Sequence, residues 1–486
     1  MMVDEDTRNA LMLFTYTFGV GSLSMGHIFA ATGSILGSIV LYFFSACNVH
    51  ASSLMCRCMT IAPTHVRTFG DLGLHACGSV GRYAIVVSES LSCLATPIAF
   101  LVLAGTELLP NITAGFNVHL TSTQWIVATA ICMLPLVCIP TLRDTVILCI
   151  LGSVSTLFTD GIALTVNFVE RPLASRESNV SVASALSAFG GIMFAFGSAL
   201  LIPPLHRQCS AMGSATLVTT VSTTLIYVTV LYMFIGILTY AQFGCMAPAT
   251  LVESMPHGPW KVLANACMLV HIAVAYPVIM SPTLFVIERS VFGKDSDIDT
   301  LKEKLLRNAE GNGVADSSSS ADAHLMGVKH NAEYKSVEST EAQEKFVHDV
   351  LHDSLKFTAT EHVCRVLLRT GIVTVQCFLA VMLQASFADI LTLIGATTVT
   401  LPCLIMPCVC FLCLFSSDGT WMGAATRGFS YVVIVVSAVL GVYSTYSAVT
   451  NIQANWATYR MFQPIHPVAY VNGRVRYPTC KPGQQN

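Results

Sequence analysis

Phe18-Gly19-Val20-Gly21-Ser22-Leu23 and Phe194-Ala195-Phe196-Gly197-Ser198-Ala199 decide the fold. Each interrupts a hydrophobic stretch of membrane-spanning length and places Phe-x-x-Gly-Ser at the interruption. Glycine weakens a helix and uncovers backbone polar groups. At membrane depth, uncovered backbone persists only where protein or a water-filled cavity satisfies it. Two matched interruptions, one early and one in mid-chain, point to a polar binding site between two structural repeats.

The chain around these segments is strongly apolar. Of 486 residues, 53% are hydrophobic and 11% charged, with a mean hydropathy of +0.65. A soluble domain carries about 25% charged residues, so this composition excludes a soluble domain with an anchor and implies many spans through a lipid bilayer. The formal net charge of -3 gives no sign of a nucleic-acid partner. Asp4, Glu5, Asp6 and Arg8 are unlike the positive start of a cleaved signal peptide, so the first span is expected to be retained. Most of the 18 cysteines lie inside apolar runs, where they behave as small hydrophobes. Cys56-x-Cys58 alone lacks the paired spacing of a zinc site, and no metal is expected.

A helix needs roughly 20 apolar residues to cross the hydrocarbon core. Eleven such spans are expected, near 9–31, 33–58, 82–109, 122–141, 144–168, 184–205, 216–240, 259–287, 362–385, 389–415 and 427–450. With the N-terminus (1–8) cytosolic, Arg57, Arg67, Arg82, Arg143, Arg207 and Arg427 fall on the inside. The long loop adds more Lys and Arg to that side, and the short external connectors carry only Arg171, Arg176 and Lys261. This asymmetry follows the positive-inside rule. The sequons at Asn111 and Asn179 both fall in expected external loops, as glycosylation requires. Cys245 and Cys480 then share the non-cytosolic side, which leaves a disulfide between them open. The segment 293–361 is the one large polar insertion, partly disordered in expectation, with Phe346, Val347, Val350, Leu351 and Leu355 at helical spacing near its end.

The chain resembles the amino acid/auxin permease family, also called the transmembrane amino acid transporter family, over about 11–451 outside the polar loop. Gly19-Val20-Gly21-Ser22-Leu23 through Gly33 is similar to that family's glycine-rich first helix. Thr68-Phe69-Gly70-Asp71-Leu72-Gly73 resembles its Thr-Tyr-x-Asp-Leu-Gly turn. Phe194-Ala195-Phe196 through Pro203, and Arg365 through Gly395 to Pro402, resemble two later signatures. The resemblance implies an all-α polytopic membrane protein with eleven transmembrane helices. It also implies an inverted 5+5 repeat with broken helices 1 and 6. The first repeat would cover 9–168 and the second 184–292 with 362–415. Span 427–450 would be peripheral, and 451–486 a non-cytosolic tail. The implied activity is secondary transport of amino acids or related small solutes, coupled to protons or sodium, with no other cofactor. Gly26 stands where the family usually has proline, and Gly197-Ser198-Ala199 replaces a Gly-His pair, so the substrate does not carry over.

An amino acid brings a carboxylate and an ammonium into a region with almost no fixed charge, where desolvation without partners is costly. Broken helices offer free N–H groups to the carboxylate and free carbonyls to the ammonium or a coupling cation. The expected substrate residues are Gly19, Gly21, Ser22, His27, Phe196, Gly197 and Ser198. For any one of these segments alone, small-residue helix packing is the competing reading. Glu89, Asp160 and His271 are candidates for ion coupling, because intramembrane ionisable groups are expensive; each is open instead to a structural hydrogen-bonding role. Ser281 and Thr283 are candidates to supply a sodium-ligating hydroxyl. A transporter-like amino acid sensor signalling through the cytosolic loop is the alternative. An enzyme is not expected, for want of clustered catalytic groups. The sequence does not choose between the plasma membrane and a vacuolar or lysosomal membrane, nor does it set an oligomeric state.

Overall fold

The computed structural model describes residues 5–63, 66, 68–116, 118, 120–138, 145–170, 177–209, 211–291, 359–416, 420–458, 469–471, 474–476, 480 and 481. Almost all of the 293–361 loop, including the helical pattern near 346–355, lies outside the described residues. The chain divides into two compact units, Met1–Ser281 with Ile372–Asn486, and Pro282–Gly371.

The chain opens with α1 (Glu5–Thr17), α2 (Val20–Leu23), α3 (Met25–Thr32), α4 (Ser34–Ile61) and α5 (Phe69–Leu103). A π-turn (Ala104–Leu108) then leads into α6 (Leu109–Thr113), followed by α7 (Ser122–Cys138) and α8 (Thr145–Glu170). Next come α9 (Val182–Ala195), a 3-10 turn (Gly197–Leu201), α10 (Ile202–Gln208), α11 (Ala211–Phe243) and α12 (Pro259–Val291). After the loop, α13 (Ala359–Leu383) and α14 (Phe387–Ile394) precede two π-turns, α15 (Met406–Leu414) and α16 (Trp421–Thr458).

Among the described residues, eight helical stretches are long and apolar enough to cross a bilayer, and a ninth forms if Phe387–Val399 and Leu401–Leu414, bent by 42°, act as one. The other two expected spans differ for plain reasons. The first is cut into α1, α2 and α3, and α7 is only 17 residues long. The fold is all-α, with one short strand pair beside the helices. Ala469–Val471 pairs antiparallel with Arg474–Arg476, and Ser178 bridges to Cys480.

Membrane character is visible in the outward faces. Val435, Val439, Val442 and Tyr446 recur at helical spacing along α16, and all are exposed. Such a stripe suits hydrocarbon rather than water. Several buried hydroxyls are satisfied within their own helices. Thr17, Thr32 and Thr156 donate to the carbonyls of Leu13, Ile28 and Gly152, four residues back. Thr68 and Asp71 form a reciprocal capping box at the start of α5, at 3.1 and 3.0 Å. Gly33, at φ 73°, lets α3 stop and α4 begin at once.

In the second unit, Glu288 on α12 is buried between two guanidinium groups. Arg365 Nε lies 2.9 Å from one carboxylate oxygen and Arg369 Nε 2.6 Å from the other.

Candidate functional site

The first break begins where α1 ends. Phe18 N–H still reaches the Phe14 carbonyl at 2.6 Å, and then regular bonding lapses. The N–H groups of Gly19, Val20 and Gly21 have no backbone acceptor among the described residues. Order returns at Ser22, whose N–H and hydroxyl both donate to the Gly19 carbonyl, at 3.0 and 2.9 Å. Ser24 repeats the pattern on the Gly21 carbonyl.

The second break begins where α9 ends at Ala195. Phe196 N–H is shared between the Ile192 and Met193 carbonyls, and Ser198 N–H turns back to the Phe196 carbonyl at 2.7 Å. The chain continues as a 3-10 turn, and Pro203 and Pro204, which lack a donor, follow within α10.

The two breaks touch. A Cβ on Gly21 would stand 2.8 Å from the Ala195 Cα, a distance no side chain tolerates. The Tyr232 hydroxyl, on α11, shares its one proton between the Thr17 carbonyl at 2.6 Å and the Ala195 carbonyl at 3.1 Å. Its ring stacks on Phe18 at 5.6 Å and meets Phe196 edge-on at 5.3 Å. Behind the second break, Gly190 and Gly395 bring α9 and the first π-turn after α14 into backbone contact, since a Cβ on Gly395 would lie 1.9 Å from the Gly190 carbonyl oxygen.

A cavity of about 120 Å³ opens at the junction, roughly eight times the ~15 Å³ that admits one water. Gly19, Gly21 and Gly197 line it, as does Val20. His271 lines it too. Its Nδ1 lies 2.9 Å from Thr156 Oγ1 and 3.2 Å from the Gly152 carbonyl. A Cβ on Gly19 would meet its Nε2 at 2.7 Å.

The remaining expected residues lie off this wall. Ser22, Ser198 and Phe196 are fully buried beside it. His27 turns toward the Ala247 backbone. Asp160 is buried, facing Ser22 and Tyr232, but Ser22 points its hydroxyl at Gly19. Both Asp160 carboxyl oxygens therefore lack a hydrogen-bond partner among the described residues. Glu89 lies close to Tyr16 and Cys403 and is not among the lining residues. Ser281 is exposed and donates to the Val278 carbonyl, away from the first break. Thr283 is buried and belongs to the second unit. Asn111 sits within α6 and donates to the Glu107 carbonyl, whereas Asn179 is exposed outside any helix or strand.

On the side of the break away from Met12 and Cys149, the 244–258 segment closes over the chain. Leu251 N–H donates to the Leu23 carbonyl at 2.9 Å, Asn167 to Ser254 at 2.7 Å, and Thr250 to the Glu107 carboxylate. Burial pushes the Glu253 carboxyl above its ordinary range, opposed by Lys261. Cys245 is disulfide-bonded to Cys480, so the pairing that the sequence left open is made. Beside it, Lys481 binds Glu177 and holds that carboxyl below its ordinary range.

Sequence reasoning missed Tyr232 and Thr156. Each is a single polar residue in an apolar run, and only the packed fold shows that one ties the breaks together and the other orients His271.

The family model described as transmembrane amino acid transporter protein matches residues 6–450. The chain is similar to Amino acid transporter AVT3B of Arabidopsis thaliana, at 23% identity over 57% of this chain and 70% of that one. It is similar to Amino acid permease 3 of the same plant, at 24% identity over 59% and 68%. Vacuolar amino acid transporter 7 of Saccharomyces cerevisiae is 22% identical over 54% of this chain and 55% of its own. These relatives are transporters, not enzymes. A multi-pass membrane protein with two facing helix breaks, matched by that model over most of its length, belongs to the transmembrane amino acid transporter family.

Proposed function

We propose that the protein is a secondary active transporter of amino acids that works by alternating access, with its substrate site at the two helix breaks. The observation that carries this reading is the trio of N–H groups at Gly19, Val20 and Gly21, which lack a backbone acceptor among the described residues and lie beside the cavity. Such groups bind a carboxylate well, because they carry the positive end of a helix dipole and need no charged side chain. On this reading there are eleven spans, with α1–α3 and α9–α10 as the first and sixth, and the two halves form an inverted repeat.

The driving cation, a proton or sodium, binds at Asp160, whose two carboxyl oxygens lack partners beside Ser22. The N-terminus lies in the cytosol. Supporting that orientation, the Cys245–Cys480 disulfide belongs in an oxidising compartment. The cavity then leans toward the cytosol, on the side of Met12 and Cys149. The 244–258 segment closes the opposite side. The membrane is the plasma membrane or that of an acidic organelle.

Uptake of labelled amino acids into proteoliposomes, under separately imposed proton and sodium gradients, tests the reading. One gradient should drive accumulation. Asp160→Asn should abolish driven accumulation and keep counterflow exchange. Accumulation under neither gradient, with no exchange, refutes the function, and driven uptake by Asp160→Asn refutes the role of that residue.

A further inference from the structure

Three features of the cavity wall bear on which amino acids enter. First, no Asp, Glu, Lys or Arg lines it among the described residues. The two nearby carboxyls are not among the lining residues: Glu89 lies close to Tyr16 and Cys403, and Asp160 close to Ser22 and Tyr232. Second, part of the wall is apolar, built from Leu200, Leu201, Val274, Ala275, Val278 and Ile279. Third, the hydrogen-bonding network around His271 fixes its tautomer. Thr156 Oγ1 donates its proton to the Gly152 carbonyl at 3.1 Å. The contacts of His271 Nδ1 with that same hydroxyl and that same carbonyl therefore require a proton on Nδ1. In the neutral ring, Nε2 is left as an acceptor. It is the ring atom closest to Gly19, at the cavity wall.

We infer that the site selects amino acids with uncharged, apolar side chains, and that His271 Nε2 accepts a hydrogen bond from their ammonium group. This rests on the proposed transport function and deepens it. The N–H groups of Gly19, Val20 and Gly21 take the carboxylate. His271 takes the ammonium, which leaves both charges of the zwitterion partnered. The side chain faces Val274, Val278 and Ile279. A third charge, on glutamate or lysine, would be stripped of water with no counter-charge on the wall, and burial of an unpaired ion is strongly disfavoured.

The test is uptake of labelled alanine, leucine, glutamate and lysine, each in turn, by the full-length protein in proteoliposomes with inward proton and sodium gradients imposed together. Alanine and leucine should enter at least tenfold faster than glutamate and lysine. Thr96→Asp adds a carboxylate to the wall, and should let lysine compete with leucine. For His271, competition by leucine is compared with competition by its desamino carboxylate analogue. The wild type should prefer leucine at least tenfold, and His271→Phe should lose that preference. Equal entry of glutamate or lysine overturns the selectivity, and retained preference in His271→Phe overturns the ammonium contact. Entry of none of the four amino acids refutes the transport function itself.

Discussion

Tyr232→Phe removes one oxygen atom and leaves the aromatic packing on Phe18 and Phe196 in place. That oxygen is shared between the Thr17 and Ala195 carbonyls, at 2.6 and 3.1 Å. Each carbonyl ends the first half of a broken helix and is buried in apolar surroundings. A buried acceptor stripped of its donor costs about 1–3 kcal/mol, and interhelical hydrogen bonds in membranes average nearer ~0.6. About 1.5 kcal/mol is the working figure, or roughly tenfold in an equilibrium constant. Because one hydroxyl serves both breaks, the loss loosens the two together and weakens the site they form. The expected result is a KM raised about tenfold in proteoliposome uptake, with normal expression and a melting shift of only a few degrees. Tyr227→Phe is the control. It lies on the same helix, is 55% exposed, and should leave KM unchanged. A wild-type KM for Tyr232→Phe would refute the idea that the breaks are held as a pair.

Further outcomes follow from other contacts. Gly21→Ala drives a methyl group to within 2.8 Å of the Ala195 backbone, where no flexible side chain can yield; overpacking of this kind costs about 1–3 kcal/mol, and uptake should fall at least tenfold while the protein still inserts. Glu288→Gln takes away the carboxylate that Arg365 and Arg369 share, so thermal stability in detergent should drop by about 3–5 kcal/mol, and an unchanged melting point would show that these ion pairs do not stabilise the fold. Cys245→Ser releases the tail from a closure that spans 235 residues. Limited proteolysis should then remove the C-terminal tail from the variant and spare it in the non-reduced wild type.

The breaks were legible in the sequence because glycine is so poor a choice in a lipid-facing helix that its clustering at Gly19 and Gly21 needs a reason. The turn at Thr68 was legible for a similar local cause, since its capping box uses residues three apart. What the sequence did not yield depends on which way a side chain faces. His27 follows the first break closely in sequence, yet turns to Ala247, whereas His271, far away in the chain, reaches Gly19. Helical spacing fixes a residue's height along a helix but not the neighbour it will meet. The same limit explains Ser281, at a suitable depth but pointing into its own helix. It explains the contact of Gly190 with Gly395 as well, for nothing local to either residue names the other. The apolar run of the first span continues across Phe18 and Gly19, where the backbone divides into α1, α2 and α3.

On the proposed function, the two unsatisfied features of the site have opposite polarity and meet at α2, a helix of four residues. On one side, three N–H groups await an acceptor. On the other, the Asp160 carboxyl awaits a cation or a donor, and Ser22, which could serve it, is held by the Gly19 carbonyl. A substrate carboxylate drawn to the N–H groups pulls on the loop that positions Ser22. A cation at Asp160 pulls on the same hydroxyl from behind. Any such shared element makes the two occupancies interdependent, and the dependence must be reciprocal: the factor by which the cation raises substrate affinity equals the factor by which substrate raises cation affinity. Ser22→Ala removes the shared hydroxyl and leaves both binding features standing. It should therefore leave each ligand able to bind alone and erase the dependence of substrate KM on the driving gradient. Persistence of that dependence in Ser22→Ala would place the linkage elsewhere, with Tyr232, which faces Asp160 and bonds both breaks, as the next element to vary.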